Sequence, residues 1–325
     1  MRRAYVLFLL LIAGASLAYV LSPVRSASAA VSPVRFGIGD QHTAMFDDPR
    51  WQALGLRITR YNVPWDAPED PVALAVARDF VEAARDHDVQ VLLQITGRTY
   101  DDEREPLPSR AAYGRNLKKL IAIFRPLGVT TWGVWNEANH PTEATFGRPD
   151  RAAQFFLEMH ADCTGCTINA LDLLTQGTPR SKGVASYRGY TQRFFAALGK
   201  KASLVKIIGI HNYGELLTTG GAGISRDLTT YARRWNKRLR FWITESGGIA
   251  SNRSRTCDEE RQRVGEVRMF SHAAALAKNG VDRLYAYNWT ADDCGYLFDS
   301  GLIRADGTAR PALKAVQTGA RNFSR

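Results

Sequence analysis

Two glutamates end apolar segments of this chain, one within residues 135–138 (Trp-Asn-Glu-Ala) and one within residues 242–245 (Trp-Ile-Thr-Glu). An unpaired carboxylate beside a dry core is costly, so an apolar strand that ends in Glu predicts a site. Two such carboxylates suit the cleavage of a glycosidic bond, because one acid protonates the leaving oxygen and one anion attacks or activates water. For this chemistry the fold must bring Glu137 and Glu245 together.

The composition is that of an ordinary globular protein. The chain has 325 residues, of which 45% are hydrophobic and 23% charged, which is enough for one large domain. The formal net charge is +11, but the basic residues are scattered and no nucleic-acid motif is present. Nucleic acid is therefore not an expected partner. A basic surface could still favour non-specific association with an anionic cell wall or an acidic glycan.

The N-terminus has the pattern of an export signal. Arg2 and Arg3 precede an apolar run over residues 4–21, and small residues follow at 27–29. This pattern predicts a signal peptide over residues 1–29 and a mature domain over residues 30–325. The alternative is a retained anchor helix, and only then would the protein contact a membrane. We expect a secreted protein, extracellular or cell-wall associated, and the excess of arginine over lysine is typical of a high-GC bacterial genome.

Eight short β-rich segments alternate with amphipathic helical segments. The predicted strands are 35–40, 57–63, 90–96, 130–136, 167–171, 206–212, 240–244 and 284–289. The predicted helices are 49–54, 71–87, 111–124, 151–160, 191–197, 228–235, 259–278 and 311–320. This alternation predicts an α/β fold, a single (β/α)₈ TIM barrel. An open doubly wound sheet is less favoured, because the turn after Gly37 and Gly39 lacks a third glycine.

Polar and aromatic residues collect at the predicted carboxyl ends of the strands, where a barrel of this type carries its reacting groups. They are Arg60 and Trp65 at and after the end of strand two, Asn136, Glu137, Asn139 and His140 at the end of strand four, His211 and Tyr213 at the end of strand six, Glu245 at the end of strand seven, and Trp289 at the end of strand eight. We therefore expect one site built from these residues.

These motifs resemble the clan A glycoside hydrolases, and the likeness in strand order covers essentially the whole mature chain. Residues 135–139 (Trp-Asn-Glu-Ala-Asn) are most similar to family 39, which includes xylosidases and iduronidases, although Ala138 stands where Pro is usual. Residues 246–248 (Ser-Gly-Gly) are closer to family 5. The resemblance implies that Glu137 is the general acid/base and Glu245 the nucleophile. It also implies that Asn136 hydrogen-bonds the sugar 2-hydroxyl.

Each role sets a requirement on its surroundings. Glu137 must begin protonated, and we expect a partly apolar wall that includes Trp135 to raise its pKa. Glu245 must be ionised, and Arg60 and Tyr213 are the expected donors. If the resemblance holds, the two carboxyl groups lie about 5–5.5 Å apart and the reaction retains anomeric configuration, whereas about 6.5–9.5 Å would mean inversion.

Three further residues have two interpretations each. His211 is either a satisfied core histidine or a substrate contact beside Tyr213. Trp65 and Trp289 are either core aromatics or flat faces for a sugar ring. We list all three, with His140, as candidate substrate-binding residues.

The four cysteines fall into two pairs once the barrel is assumed. Cys163 and Cys166 precede strand five at the N-terminal face, whereas Cys257 and Cys294 lie in loops after strands seven and eight. We expect disulfides Cys163–Cys166 and Cys257–Cys294, with a redox Cys-x-x-Cys as the alternative for the first. No cofactor or metal is expected, because no cysteine pair stands with a histidine at zinc-ligand spacing.

The sequence thus predicts a secreted, monomeric, retaining β-glycosidase acting on a poly- or oligosaccharide by double displacement. One alternative is a non-catalytic glycan-binding barrel. Another is a transglycosylase that uses the same residues.

Overall fold

The computed structural model describes residues 32–97, 106–295 and 297–324. The predicted signal peptide over residues 1–29 lies outside these residues. Within the described residues, no helix combines the length and apolar character that a membrane crossing requires.

Eight parallel strands form a closed barrel. Each strand pairs with the next along the chain, and the last pairs with the first, where Gly39 lies opposite Tyr287. The strands are β1 (Ser32–Gly39), β2 (Ile58–Pro64), β3 (Gln90–Thr96), β4 (Thr131–Gly133), β5 (Thr167–Leu174), β6 (Ile207–His211), β7 (Arg240–Ser246) and β8 (Val281–Tyr287). The (β/α)₈ prediction is confirmed, and an open doubly wound sheet is excluded.

Helices occupy the connections between the strands. They are α1 (Ala44–Asp47), α2 (Pro49–Gln52), α3 (Pro71–Asp86), α4 (Arg110–Phe124), α5 (Pro149–Asp162), α6 (Tyr187–Leu198), α7 (Tyr213–Leu216), α8 (Gly223–Ala232), α9 (Glu259–Leu276) and α10 (Pro311–Ala320). Three additional short strands lie outside the barrel circuit: Ser251–Asn252 pairs antiparallel with Phe298–Asp299, and Phe323–Ser324 lies beside β1.

Helix α3 shows how local sequence sets these elements. Its N-cap Asp70 accepts hydrogen bonds from the backbone N–H groups of Val72 and Ala73, and Pro71 occupies the first turn. Phe80 and Ala84 are fully buried on the face that packs against the barrel, as their four-residue spacing requires.

Most strand ends differ from the prediction by one to three residues, and three of these differences bear on the site. β4 ends at Gly133 instead of residue 136, although Val134 N and Asn136 N still donate to Asn169 O on β5 and Ile95 O on β3 as the chain approaches Glu137. β5 continues to Leu174 instead of ending at residue 171. β8 spans Val281–Tyr287 and ends two residues before Trp289.

Two glycines make room for polar side chains inside the barrel. A Cβ at Gly133 on β4 would lie 1.7 Å from Gln94 Oε1. A Cβ at Gly209 on β6 would lie 1.5 Å from Asp172 Oδ1. Since neither contact is possible with a side chain present, these glycines allow Gln94 and Asp172 to fill the barrel interior below the site.

Both expected cysteine pairs lie at disulfide distance. Cys163 and Cys166 have a Cα–Cα distance of 5.5 Å and follow α5. Cys257 and Cys294 have a Cα–Cα distance of 5.4 Å. The second bridge joins the loop after β7 to the loop after β8 at the carboxyl end of the barrel.

Candidate active site

Arg60 connects four strands of the barrel from a buried position on β2. Its Nη1 donates a hydrogen bond to Glu245 Oε1 on β7. Its Nη2 donates to Asn136 Oδ1 after β4 at 2.7 Å and lies 3.5 Å from Asp172 Oδ2 on β5. A guanidinium can serve several acceptors at once because its donors form a rigid fork.

Glu245 is held through both carboxylate oxygens. Arg60 occupies Oε1, and the hydroxyl of Tyr213 donates to Oε2 at 3.2 Å. His211 Nδ1 lies 3.5 Å from the same Oε2. A carboxylate held by a cation and a hydroxyl donor has a fixed direction and a compensated charge.

Glu137 lies on the turn after β4, in a backbone conformation that few residues other than glycine adopt. Its φ is 40°, in the left-handed region that is uncommon outside glycine. The backbone is secured on both sides, since Ala138 N donates to Asp172 O at 3.0 Å and His140 N donates to Glu137 O at 2.7 Å. Such backbone strain clusters at functional positions.

Asn139 holds this turn against the end of β5. Its Nδ2 donates to Leu174 O at 3.1 Å, and Leu174 N donates to Asn139 Oδ1 at 2.9 Å. Asn139 is completely buried. Asn139 thus fixes the turn against β5 and does not face solvent.

The pKa of Glu137 is shifted in the opposite direction to our expectation. Burial acts to raise it, but the hydrogen bond and charge of His211, with lesser contributions from His140 and Arg60, hold it below its usual value. His211 Nδ1 lies 2.8 Å from Glu137 Oε1. The expected apolar wall fails because the Trp135 indole is buried elsewhere and donates to Glu143 at 2.8 Å.

The two glutamates converge on one point. A carboxylate oxygen of Glu137, one of Glu245 and a ring nitrogen of His211 all lie within 4.8 Å of one another. In the described part of the chain, this is the cluster of acidic and histidine side chains that lie close enough together to hold a metal ion. The oxygens of Glu245 already have donors in Arg60 and Tyr213, and the same arrangement can serve proton transfer and nucleophilic attack.

Asp172 is a site residue that sequence reasoning missed. It is completely buried on β5, and its Oδ2 lies 3.6 Å from His211 Nε2. Burial acts to lower the pKa of His211, but Glu245, Asp172 and Glu137 together raise it to about 10. The available signal was a lone charged residue within the apolar segment Thr167–Leu174, but the predicted strand stopped before it.

The remaining candidates occupy different positions. His140 is half-buried, and its Nδ1 bonds Thr142 Oγ1 at 2.6 Å, so it acts on Glu137 through charge. Trp65 is half-buried beyond β2, with its backbone N–H bonded to Thr96. The expectation of a sugar platform at Trp289 is not supported, because Trp289 is only 2% exposed.

The end of β8 explains the position of Trp289. The strand ends at Tyr287, and Trp289 turns inward toward Asp48, whose pKa is lowered mainly by Arg50 and to a lesser extent by the Trp289 indole. Tyr287 is the half-buried aromatic residue at the strand end, and Phe298 packs against both it and Tyr213.

The fold is similar to solved structures of glycoside hydrolases. A family 1 β-glucosidase from Thermotoga maritima has a TM-score of 0.62 at 10% identity, covering 91% of this chain and 100% of that one. An endo-β-1,4-glucanase from Xanthomonas axonopodis pv. citri has a TM-score of 0.59 at 16% identity, covering 90% and 100%. A GH30 endoxylanase from Clostridium papyrosolvens has a TM-score of 0.60 at 12% identity, covering 90% and 73%.

These structural neighbours are clan A glycoside hydrolases. At identities this low the likeness establishes the (β/α)₈ fold and leaves the chemistry to the site itself. No protein-family model matches the sequence, and no curated protein is recognisably similar to it.

Proposed function

We propose that this protein is a retaining β-glycosidase that cleaves O-glycosidic bonds by double displacement. The observation that carries the proposal is the approach of Glu137 and Glu245, whose carboxylate oxygens lie within 4.8 Å of each other. Retaining enzymes keep their carboxyl groups about 5–5.5 Å apart, whereas inverting enzymes leave about 6.5–9.5 Å for a water molecule. A pair of carboxylate oxygens this close favours the retaining arrangement over the inverting one.

In the first half of the reaction, Glu245 attacks the anomeric carbon and Glu137 protonates the leaving oxygen. The electron pair of the broken C–O bond passes to that oxygen, and a covalent glycosyl-enzyme forms at Glu245. Arg60 and Tyr213 direct the Glu245 carboxylate toward the sugar. Asn136 accepts from Arg60 at Oδ1, and its amide N–H₂ group is the proposed donor to a sugar hydroxyl.

In the second half, Glu137 acts as a base. It removes a proton from water, the water oxygen attacks the anomeric carbon, and the bond to Glu245 breaks. The resting pKa of Glu137 is low because of His211, so the acid form requires an environment that disfavours the carboxylate. A bound sugar supplies that environment when it displaces water from the site, since the loss of water raises the pKa of a carboxyl group.

The proposed substrate class is based on the structural neighbours. Structural neighbours include proteins described as a β-glucosidase, an endoxylanase and an endo-β-1,4-glucanase. A β-linked poly- or oligosaccharide is the substrate that we propose, and a monomer acting outside the cell is the proposed form. Two disulfides fit an oxidising compartment. Membership of family 39 stays a prediction that depends on residues 135–139.

The test is a screen of aryl β-glycosides and β-linked polysaccharides, with the anomer of the first product followed by proton NMR. Glu245→Gln is expected to lose activity on the order of 10⁶-fold, the scale of removing a covalent nucleophile. Glu137→Gln is expected to lose roughly 10²–10⁴-fold on ordinary substrates, as for a general acid/base, and to spare those with good leaving groups.

Glu158→Gln is the matched control, because Glu158 is a glutamate on α5 that pairs with Arg110 away from the site. Binding of glycans without turnover would instead identify a non-catalytic barrel. A first product of inverted configuration would contradict the proposed mechanism.

A further inference from the structure

Asp172 lies inside the barrel below the two glutamates. Its Oδ1 accepts hydrogen bonds from Thr244 Oγ1 at 2.7 Å and from Asn169 Nδ2 at 2.6 Å. Its Oδ2 lies 3.6 Å from His211 Nε2 and 3.5 Å from Arg60 Nη2. A buried carboxylate is costly unless charges and donors compensate it, and here both oxygens are compensated.

The position of Asp172 excludes direct contact with a substrate. Its side chain is completely buried, and His211 separates it from Glu137. Gly209 provides the space for the carboxylate, since any side chain there would collide with Oδ1. The charge of Asp172 therefore reaches the reacting groups through the side chains of His211 and Arg60.

The His211 ring stands between two carboxylates. Its Nδ1 lies 2.8 Å from Glu137 Oε1, and its Nε2 has Asp172 Oδ2 as its charged neighbour at 3.6 Å, an ion-pair distance. The titratable groups around the ring are Arg60 from β2, Glu137 from the turn after β4, Asp172 from β5, Tyr213 from α7 and Glu245 from β7.

We propose that Asp172 is a positioning residue of the reaction: it keeps His211 in the imidazolium form, with both ring nitrogens protonated, so that Nδ1 donates a hydrogen bond to Glu137 throughout the cycle. The effect of this role on catalysis rests on the proposed glycosidase function, whereas the contact between Asp172 and His211 does not. The charge arrangement supports it, because Arg60 offsets Glu245 while the imidazolium of His211 offsets Asp172. With Glu137 protonated, no net charge remains on the set formed by Arg60, Glu245, His211, Asp172 and Glu137.

The cycle then needs no proton from His211. When Glu137 gives its proton to the leaving oxygen, the new carboxylate still receives the Nδ1–H bond at Oε1, and Oε2 is the oxygen that faces the substrate. When Glu137 takes a proton from water in the second half, His211 again keeps its own. Without the charge of Asp172, a neutral His211 would cease to hold down the pKa of Glu137.

The direct test is the titration of His211 by NMR in the full chain without substrate. His211→Asn identifies the ring signals. In the wild type, His211 is expected to stay protonated through pH 8, consistent with a pKa raised to about 10. In Asp172→Asn the pKa of His211 should fall by roughly 1–3 units, the usual effect of one neighbouring charge. In the control Thr244→Val, which removes a hydroxyl but no charge, it should not move.

A His211 that titrates near 6.5 in the wild type would overturn the proposal, and so would an unchanged titration in Asp172→Asn. If Asp172→Asn does not fold, the wild-type titration alone decides. These measurements need no turnover. A shift as predicted in a protein without glycosidase activity would reject the proposed function and leave the Asp172–His211 pair intact.

Activity provides the second readout. The basic limb of the kcat/KM profile reports ionisation of the general acid, and it should move to higher pH in Asp172→Asn, because Glu137 keeps its proton longer. In the His211→Asn background, adding Asp172→Asn should not move the limb further. A purely structural Asp172 would lower the rate equally at every pH, and that outcome would contradict the proposal.

Discussion

Arg60 on β2 donates a hydrogen bond to Glu245 on β7, across the mouth of the barrel. The same guanidinium holds Asn136, the residue before Glu137. The buried guanidinium of Arg60 thus orients both the carboxylate of Glu245 and the amide of Asn136, two residues that are far apart in sequence. Arginine can make both contacts because its guanidinium presents several donors in a rigid fork, which a lysine lacks.

Arg60→Lys is therefore expected to be far from conservative. The ammonium can compensate Glu245 or hold Asn136, but not both. We expect kcat to fall roughly 10²–10³-fold, the effect of removing one preorganised donor from a transition state. Steady-state kinetics on the substrate found by the screen measures it. Arg110→Lys, at an exposed pair with Glu158, is the matched control, and equal rates for the two variants would contradict this role of Arg60.

We expect Glu266 to make the stability of the protein depend on pH. It is buried on α9 behind the segment that follows Glu245, and its Oε1 accepts a hydrogen bond from Gly248 N at 2.8 Å. Burial raises its pKa from 4.5 to about 8. Because the folded pKa lies above the unfolded one, the neutral acid stabilises the fold at low pH, and this contribution is lost as pH rises from about 4.5 to about 8.

Glu266→Gln should remove this dependence, since the amide keeps the shape without the titration. The variant is expected to match the wild type near pH 4.5 and to exceed its melting temperature above pH 8. Thermal unfolding across that range measures the difference. A constant difference between the two proteins at all pH values would mean that Glu266 does not titrate with a raised pKa.

The disulfide Cys257–Cys294 should matter more for activity than Cys163–Cys166. It joins the loops after β7 and β8 beside the site, whereas the other bridge lies at the opposite end of the barrel. We expect the double serine variant of Cys257 and Cys294 to lose activity at a denaturant concentration where far-UV circular dichroism is still native. The double serine variant of Cys163 and Cys166 should lose both together. A reversed order would reject this assignment.

Much of the fold could be predicted from sequence, because short apolar segments alternate with amphipathic ones. Placing Glu137 and Glu245 after strands four and seven also predicted their convergence, as parallel strands end at one face of a barrel. Their partners Arg60 and Tyr213 were identified in the same way. Local patterns sufficed here because Arg60 and Glu245 lie within β2 and β7, and Glu137 and Tyr213 follow β4 and β6 within a few residues.

Other features depend on contacts between distant segments. Asp172 belongs to the site only because β5 continues past residue 171 and because Gly209, on the neighbouring strand, leaves room for its carboxylate. The low pKa of Glu137 depends on His211, so the sign of the shift could not be obtained from the residues around Glu137. The burial of Trp289 depends on where β8 ends.

The most direct test of the central claim is to trap the covalent intermediate. Activated 2-deoxy-2-fluoro β-glycosides, which form the glycosyl-enzyme faster than it is hydrolysed, would be incubated with the protein and followed by intact mass and peptide mapping. The account predicts one added glycosyl group, located on Glu245 and absent in Glu245→Gln. A label on another residue, or turnover of the natural substrate to the inverted anomer with no label, would contradict it.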